Sequence, residues 1–181
     1  MGMFIETETT PNPSSLKFLP GRQVMAMGTR EFASPEAAEA SPLAQAIFDT
    51  GEVVNVFFGH DFVTVTAAPG GDWSALKPEV TAILLDHFVS EAPHFAGGSA
   101  DGINVPAESE ELVVEDRAED AEIIANINEL LETRVRPAVA GDGGDIAYRG
   151  FQDGVVYLQL QGACSGCPSS TATLKQGIES L

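Results

Sequence analysis

Cys164 and Cys167 are the only thiols in the chain, and they stand three apart in the loop Gly162-Ala163-Cys164-Ser165-Gly166-Cys167-Pro168. Two thiols at that spacing can hold one metal or close into a short disulfide. Ser165-Gly166 lets the loop curl back, because glycine accepts positive φ without steric cost. Ser169-Ser170 follows as a helix-capping pair. The unpaired N–H groups and dipole of a helix start favour a thiolate, the form of cysteine that binds metal.

Zinc and iron–sulfur clusters normally take four protein ligands. This chain offers two cysteines, and His60, His87 and His94 all precede the loop by a long stretch with no metal-site spacing to it. A second copy of the same loop, brought by a two-fold dimer, would complete a four-thiolate site. A group held that way is labile, which suits delivery better than storage. Two other readings use the same residues: a dithiol redox protein, and a zinc-linked interaction module. A thioredoxin fold does not fit, since only 14 residues follow Cys167. Bystander cysteines are the plain alternative.

The chain around this loop is strongly acidic. Nine Lys+Arg stand against 27 Asp+Glu in 181 residues, a formal charge of −18. Such a surface repels phosphate backbones and anionic membranes, so neither nucleic acid nor membrane is an expected partner. The apolar runs are four or five residues long, too short to span a bilayer. The N-terminal MGMFIETETTPNP lacks a basic flank and an apolar stretch, and it is acidic and free of Arg. That composition is neither a signal peptide nor a transit peptide, so the expected location is cytoplasmic and bacterial-type.

The elements that position the loop read as an α+β chain of two small α/β-type domains. Residues 1–91 form the first, a mixed sheet with two helices. Short extended segments carry Ile5, Leu16, Phe18 and Leu19. Ser41-Pro42 starts a helix with Leu43, Ala46 and Ile47 on one face. Val53–Phe58 and Phe62–Thr66 are hairpin strands separated by Gly59-His60-Asp61. A second helix carries Leu76, Val80, Leu84, His87 and Phe88. Pro78 predicts its start at Ser74 or later, because proline is cheap only in the first turn. Trp73 is expected on this domain's core, His60 in solvent, and His87 at a core or edge position. Residues 92–115 are an acidic, flexible linker punctuated by glycine and proline.

Residues 116–181 form the second domain: helix, β-hairpin, CxxC loop, helix. Ile123, Ile124, Ile127, Leu130, Leu131 and Val135 make an apolar helical stripe, and Pro137 is expected to stop the helix just beyond Arg134 and Arg136. Gly141-Asp142-Gly143-Gly144 reads as a tight turn. It lacks the Lys-Ser/Thr of a phosphate loop and precedes a strand. Asp153-Gly154 turns the hairpin. The final stripe, Leu174, Ile178 and Leu181, is cut in mid-pattern, so this domain reads as truncated at its C-terminal end. A ~65-residue unit buries only about 60% of its unfolded surface, so it is expected to melt below the first domain.

GDGGDIAYRGFQDGVVYLQLQ followed by GACSGCPSSTATLKQGIESL resembles the C-terminal domain of NifU-like (Nfu) iron–sulfur proteins. MFIETETTPNPSSLKFLPG, SPLAQAIF, VVNVFFGHDFVTVT and DWSALKP resemble the N-terminal domain of the Nfu subfamily. The resemblance implies a carrier that accepts a 4Fe–4S cluster (2Fe–2S takes the same four thiolates) from an upstream scaffold and passes it to apo iron–sulfur proteins. It implies Cys164 and Cys167 as ligands in a cluster-dependent homodimer, and a cofactor-free N-terminal domain that aids target recognition or regulates transfer. Thiolate exchange at iron needs no general acid or base, so no enzyme is expected.

Overall fold

The computed structural model describes residues 3–96 and 117–165. Most of the expected linker, Cys167 and the expected final helix lie outside the described residues.

The first unit is built on a five-stranded sheet: β1 Glu6–Thr9, β2 Ser15–Leu19, β3 Arg30–Phe32, β4 Val53–Phe58 and β5 Val63–Ala67, in the order β1-β2-β5-β4-β3. Every neighbouring pair is antiparallel, where a mixed sheet was expected. The short turns between β1 and β2 and between β4 and β5 fix those directions, because a parallel pair needs a long crossover. Three helices accompany the sheet rather than two: α1 Pro35–Ala38, α2 Pro42–Phe48 and α3 Trp73–Val89. The additional one is a single turn capped by Ser34, whose hydroxyl accepts from Ala37 N–H. Ser41 caps α2 in the same way, as its Ser-Pro sequence predicts.

α3 begins at Trp73, ahead of the expected start, with Pro78 in its sixth position. Asp72 caps it, its carboxylate accepting from Ser74 N–H at 2.8 Å. The bond that Pro78 cannot make would have gone to the carbonyl of Ser74, an exposed residue that water can reach. Helices and sheet share one core. Phe18, Phe32, Val56, Phe58, Val63, Val65, Leu43, Ile47, Val80 and Leu84 are all buried in it, and Trp73 packs against it.

In the second unit the helix does not stop at Pro137. α4 Ala121–Leu130 passes into a π-helical turn, Leu131–Val135, and on into α5 Arg136–Gly141. The wide turn lets Arg136 N–H reach back to Leu131 carbonyl, a five-residue step. This slip absorbs the missing donor of Pro137. Arg134 and Arg136 therefore sit inside a continuous helical rod. β6 Gly144–Gln152 and β7 Val155–Gly162 pair antiparallel across Asp153-Gly154. Both turn residues have positive φ, 51° and 80°, as a type I′ turn requires. Leu131, Val135, Val139, Ile146 and Cys164 form the buried cluster between rod and hairpin.

Candidate functional site

Cys164 lies in the turn that leaves β7, immediately past the last ladder pair, Gly144 with Gly162. Its side chain is 1% exposed and packs with Leu131, Val135, Val139 and Ile146. The turn is held by its own backbone. Ala163 N–H donates to Gly143 carbonyl at 3.2 Å, and Ser165 N–H to Gly162 carbonyl at 3.0 Å. Gly141-Asp142-Gly143-Gly144 is the tight turn expected, and it lies against the cysteine loop. A Cβ on Gly144 would stand 2.9 Å from Cys164 Sγ.

The first unit reaches this loop directly. In the sheet, Glu8, Lys17, Thr64, Phe57 and Glu31 stand opposite one another in register, one residue from each strand. They form a row across the face turned away from the helices, since Val63 and Val65, which flank Thr64, point into the helix-covered core. Thr64 Oγ1 donates to Gly143 carbonyl at 2.7 Å. Glu31 Oε1 accepts from Gly162 N–H at 2.9 Å and from Asn55 Nδ2 at 3.0 Å. Phe57, between them, is fully buried, and a Cβ on Gly162 would come within 2.9 Å of its ring. Gly143 and Gly162 both have positive φ, 84° and 66°, so glycine serves there for conformation and for close approach.

Two further contacts complete the junction. Asn12 Nδ2 donates to the carbonyl of Ala163, the residue before Cys164, at 3.2 Å. Thr29 Oγ1 donates to Asp145 Oδ2 at 2.8 Å. Asp145 also holds Arg136, whose guanidinium pairs with Glu132. An open cleft of about 360 Å³ lies beside them, lined by Thr29, Phe62, Arg136, Asp145 and the exposed His60. At the far end of the row, Lys17 is buried, paired with Glu8 at 3.2 Å and set over the Phe62 ring. Burial raises the pKa of Glu31 above the ordinary carboxylate value, and its hydrogen bonds from Gly162 and Asn55 oppose that shift.

The other two histidines are elsewhere. His87 Nε2 and His94 Nδ1 lie 2.8 Å apart, with their rings stacked. Burial lowers the pKa of both, and a charge on His94 would lower that of His87 further. They pin residues 94–96 to α3 on the helix side of the sheet, opposite the cysteine loop. Among the described residues, no three His, Cys, Asp or Glu side chains come together in a way that could hold a metal ion. The sequence points to Cys164 by its spacing and does not point to Asn12, Glu31 or Thr64, which lie against its loop. The one signal available was the alternation Val63-Thr64-Val65-Thr66, which marks a polar sheet face but not what covers it.

Residues 5–91 match the family described as scaffold protein Nfu/NifU N terminal, and residues 127–181 match the NifU-like domain. NifU-like protein 4, mitochondrial, of Arabidopsis thaliana is 50% identical over 181 residues, 99% of this chain and 61% of that protein. The Homo sapiens NFU1 iron-sulfur cluster scaffold homolog, mitochondrial, is 48% identical over 180 residues, 99% of this chain and 66% of that protein. A solution structure of a NifU-like protein from Saccharomyces cerevisiae aligns with a TM-score of 0.48 at 25% identity, covering 52% of this chain and 86% of that one. The chain thus spans about three fifths of the length of the curated relatives it matches. Their mitochondrial names overturn the cytoplasmic, bacterial-type location expected from residues 1–13.

Proposed function

The chain belongs to the NifU-like (Nfu) iron–sulfur cluster scaffold family, and from that premise we propose that it carries a 4Fe–4S cluster as cargo between proteins. Cys164 and Cys167 of two chains hold the cluster, so each protomer supplies half of the ligands. Residues 1–91 and 116–181 act as two domains, with 92–115 as the linker between them. An upstream scaffold supplies the cluster, and apo iron–sulfur proteins receive it.

The observation that carries this reading is the donor set. A thiol sits at the mouth of a hairpin, and among the described residues no three His, Cys, Asp or Glu side chains come together to hold a metal ion. A second copy is the economical source of the missing thiolates. Transfer is ligand exchange. A recipient thiol bonds to iron through its sulfur as Cys164 or Cys167 leaves, its proton passes to the departing sulfur, and the oxidation state of the cluster is unchanged. The chain acts as a carrier and not as an enzyme.

Anaerobic reconstitution with iron and sulfide tests this. The expected product is a brown dimer with broad absorbance near ~400 nm, and Mössbauer spectra distinguish 4Fe–4S from 2Fe–2S. Cys164→Ser should stay colourless and monomeric. A colourless wild type, or one that reduces insulin without iron, would replace the carrier with a dithiol protein. Colourless metal at one per two chains would replace it with a zinc-linked module.

A further inference from the structure

The contacts between the row of the sheet and the cysteine loop do more than join two units. Gly162 N–H is taken by Glu31, Ala163 N–H by Gly143 carbonyl, and Ser165 N–H by Gly162 carbonyl. The described amides nearest the thiol on either side are therefore committed. A cluster on four thiolates carries net negative charge, and N–H donors are what normally stabilise it. Here it would find them engaged, with a half-buried carboxylate, Glu31, bonded to the amide two residues before Cys164. The Ala163 carbonyl is roofed by Asn12 and the Gly143 carbonyl by Thr64. A second chain approaching the same loop meets the first domain there.

We infer that the outer face of the N-terminal sheet is a reversible clamp on the cysteine loop, so that docking of the two units and loading of the loop exclude each other. This rests on the carrier reading above. The clamp is made of single side-chain bonds to backbone, the Thr29–Asp145 side-chain bond and the packing of the Phe57 ring against Gly162, and neither buried cluster extends across it. It can open without unfolding either unit. Linkage makes the antagonism reciprocal: whatever loosens the clamp tightens cluster binding, and a bound cluster loosens the clamp.

The test is an Asn12→Asp, Thr64→Val double variant of the full chain. The carboxylate introduced at position 12 would keep the acceptor that Asn12 Oδ1 offers to Ser14 N–H, while removing the amide that donates to Ala163 carbonyl. Valine keeps the shape of threonine and suits a strand. The N-terminal fold is thus retained, which Trp73 fluorescence checks. The first readout is amide exchange of Gly162 in the apo chain by NMR. That N–H bonds to Glu31, which neither substitution touches, so it reports docking and not local loss. Exchange should rise at least about tenfold. The second readout is anaerobic loading with ferrous iron and sulfide, which should be about fivefold faster in the variant, with slower loss to a chelator. Unchanged exchange at Gly162 would overturn the clamp. Faster exchange with equal loading of both proteins would overturn the exclusion while leaving the carrier intact. Failure of both proteins to take up any cluster would sink the carrier reading and the exclusion with it.

Discussion

The N-terminal sheet and the C-terminal hairpin are built to different standards. The first packs apolar side chains from four of its five strands and from three helices into one core, with Phe18, Phe32, Phe58, Ile47 and Leu84 wholly buried. In the second, the cluster of buried residues has five members among the described residues, and one of them is Cys164. α4 buries no residue fully, Ile123 is 48% exposed and Val155 52%. The difference teaches where chemistry can be placed. On the proposed function Cys164 must move outward to bind its group, which is safe only where its departure leaves the rest of the molecule standing. The sheet provides that independence, and the hairpin uses it.

The largest effect that could break this comparison lies in the sheet. Phe58→Ala removes a ring in edge contact with Phe32 at 5.1 Å and Phe95 at 6.1 Å. The loss should be about 3–5 kcal/mol, read as a shift in denaturant midpoint by the fluorescence of the single tryptophan, Trp73, which lies 6.4 Å from Phe18. Leu131→Ala, in the smaller cluster, should cost about 2–3 kcal/mol and be visible in the helical signal of the second unit. If the units are energetically separate, Leu131→Ala leaves the Trp73 transition where it was, and the hairpin unit melts first. Equal shifts of both signals would show that the clamp makes one folding unit of the two.

Acid should weaken the sheet unit through His87 and His94. Burial lowers both pKa values from the ordinary 6.5, most directly by desolvation, while Asp86 opposes this at His87. The unfolded chain therefore binds protons more readily than the folded one, and stability rises with pH across that window. The contribution is intact above the unfolded value of about 6.5 and is lost as pH falls from there through the lowered folded values. Urea midpoints at pH 7.5 and 5.5, compared between wild type and a His87→Gln, His94→Gln double variant, read it out. The wild type should lose more than the variant on acidification. An equal loss would assign the pH dependence to carboxylates elsewhere.

What the sequence disclosed was local. Ser34, Ser41 and Asp72 cap helices through their own hydroxyls and carboxylate, and Ser34-Pro35 carries the same signal as Ser41-Pro42, though the helix it starts is a single turn too short to show a period. Asp153-Gly154 sets its turn, and the spacing of Cys164 and Cys167 raises metal binding and a dithiol as readings. β3 escaped because Arg30–Phe32 is too short to show a period. Pro78 and Pro137 misled because the cost of proline in a helix depends on what becomes of one carbonyl. At Ser74 that carbonyl meets solvent, and near Pro137 a π turn reroutes the ladder. The clamp escaped for a more general reason. Lys17 and Thr64 alternate with apolar residues as on any solvated sheet face, Glu31 follows Arg30 in a strand of three, and polar side chains that meet backbone groups of a distant loop leave no period in the chain.

The smallest expected effect sharpens the comparison at the hairpin tip. Asp153 has φ of 51° and also meets Arg117 at 3.4 Å, so backbone preference and an ion pair compete as explanations of the turn. Both partners are largely exposed, and such pairs contribute little. Asparagine tolerates the left-handed region as aspartate does, so Asp153→Asn should change stability by less than about 0.5 kcal/mol. Alanine there must adopt a conformation its Cβ resists, so Asp153→Ala should cost about 1 kcal/mol. Thermal melts of the two variants, followed in the second unit, separate the terms. Should Asp153→Asn cost as much as Asp153→Ala, the tie to Arg117 at the head of the helical rod would hold the hairpin in place, and the thin core would owe part of its order to a surface charge.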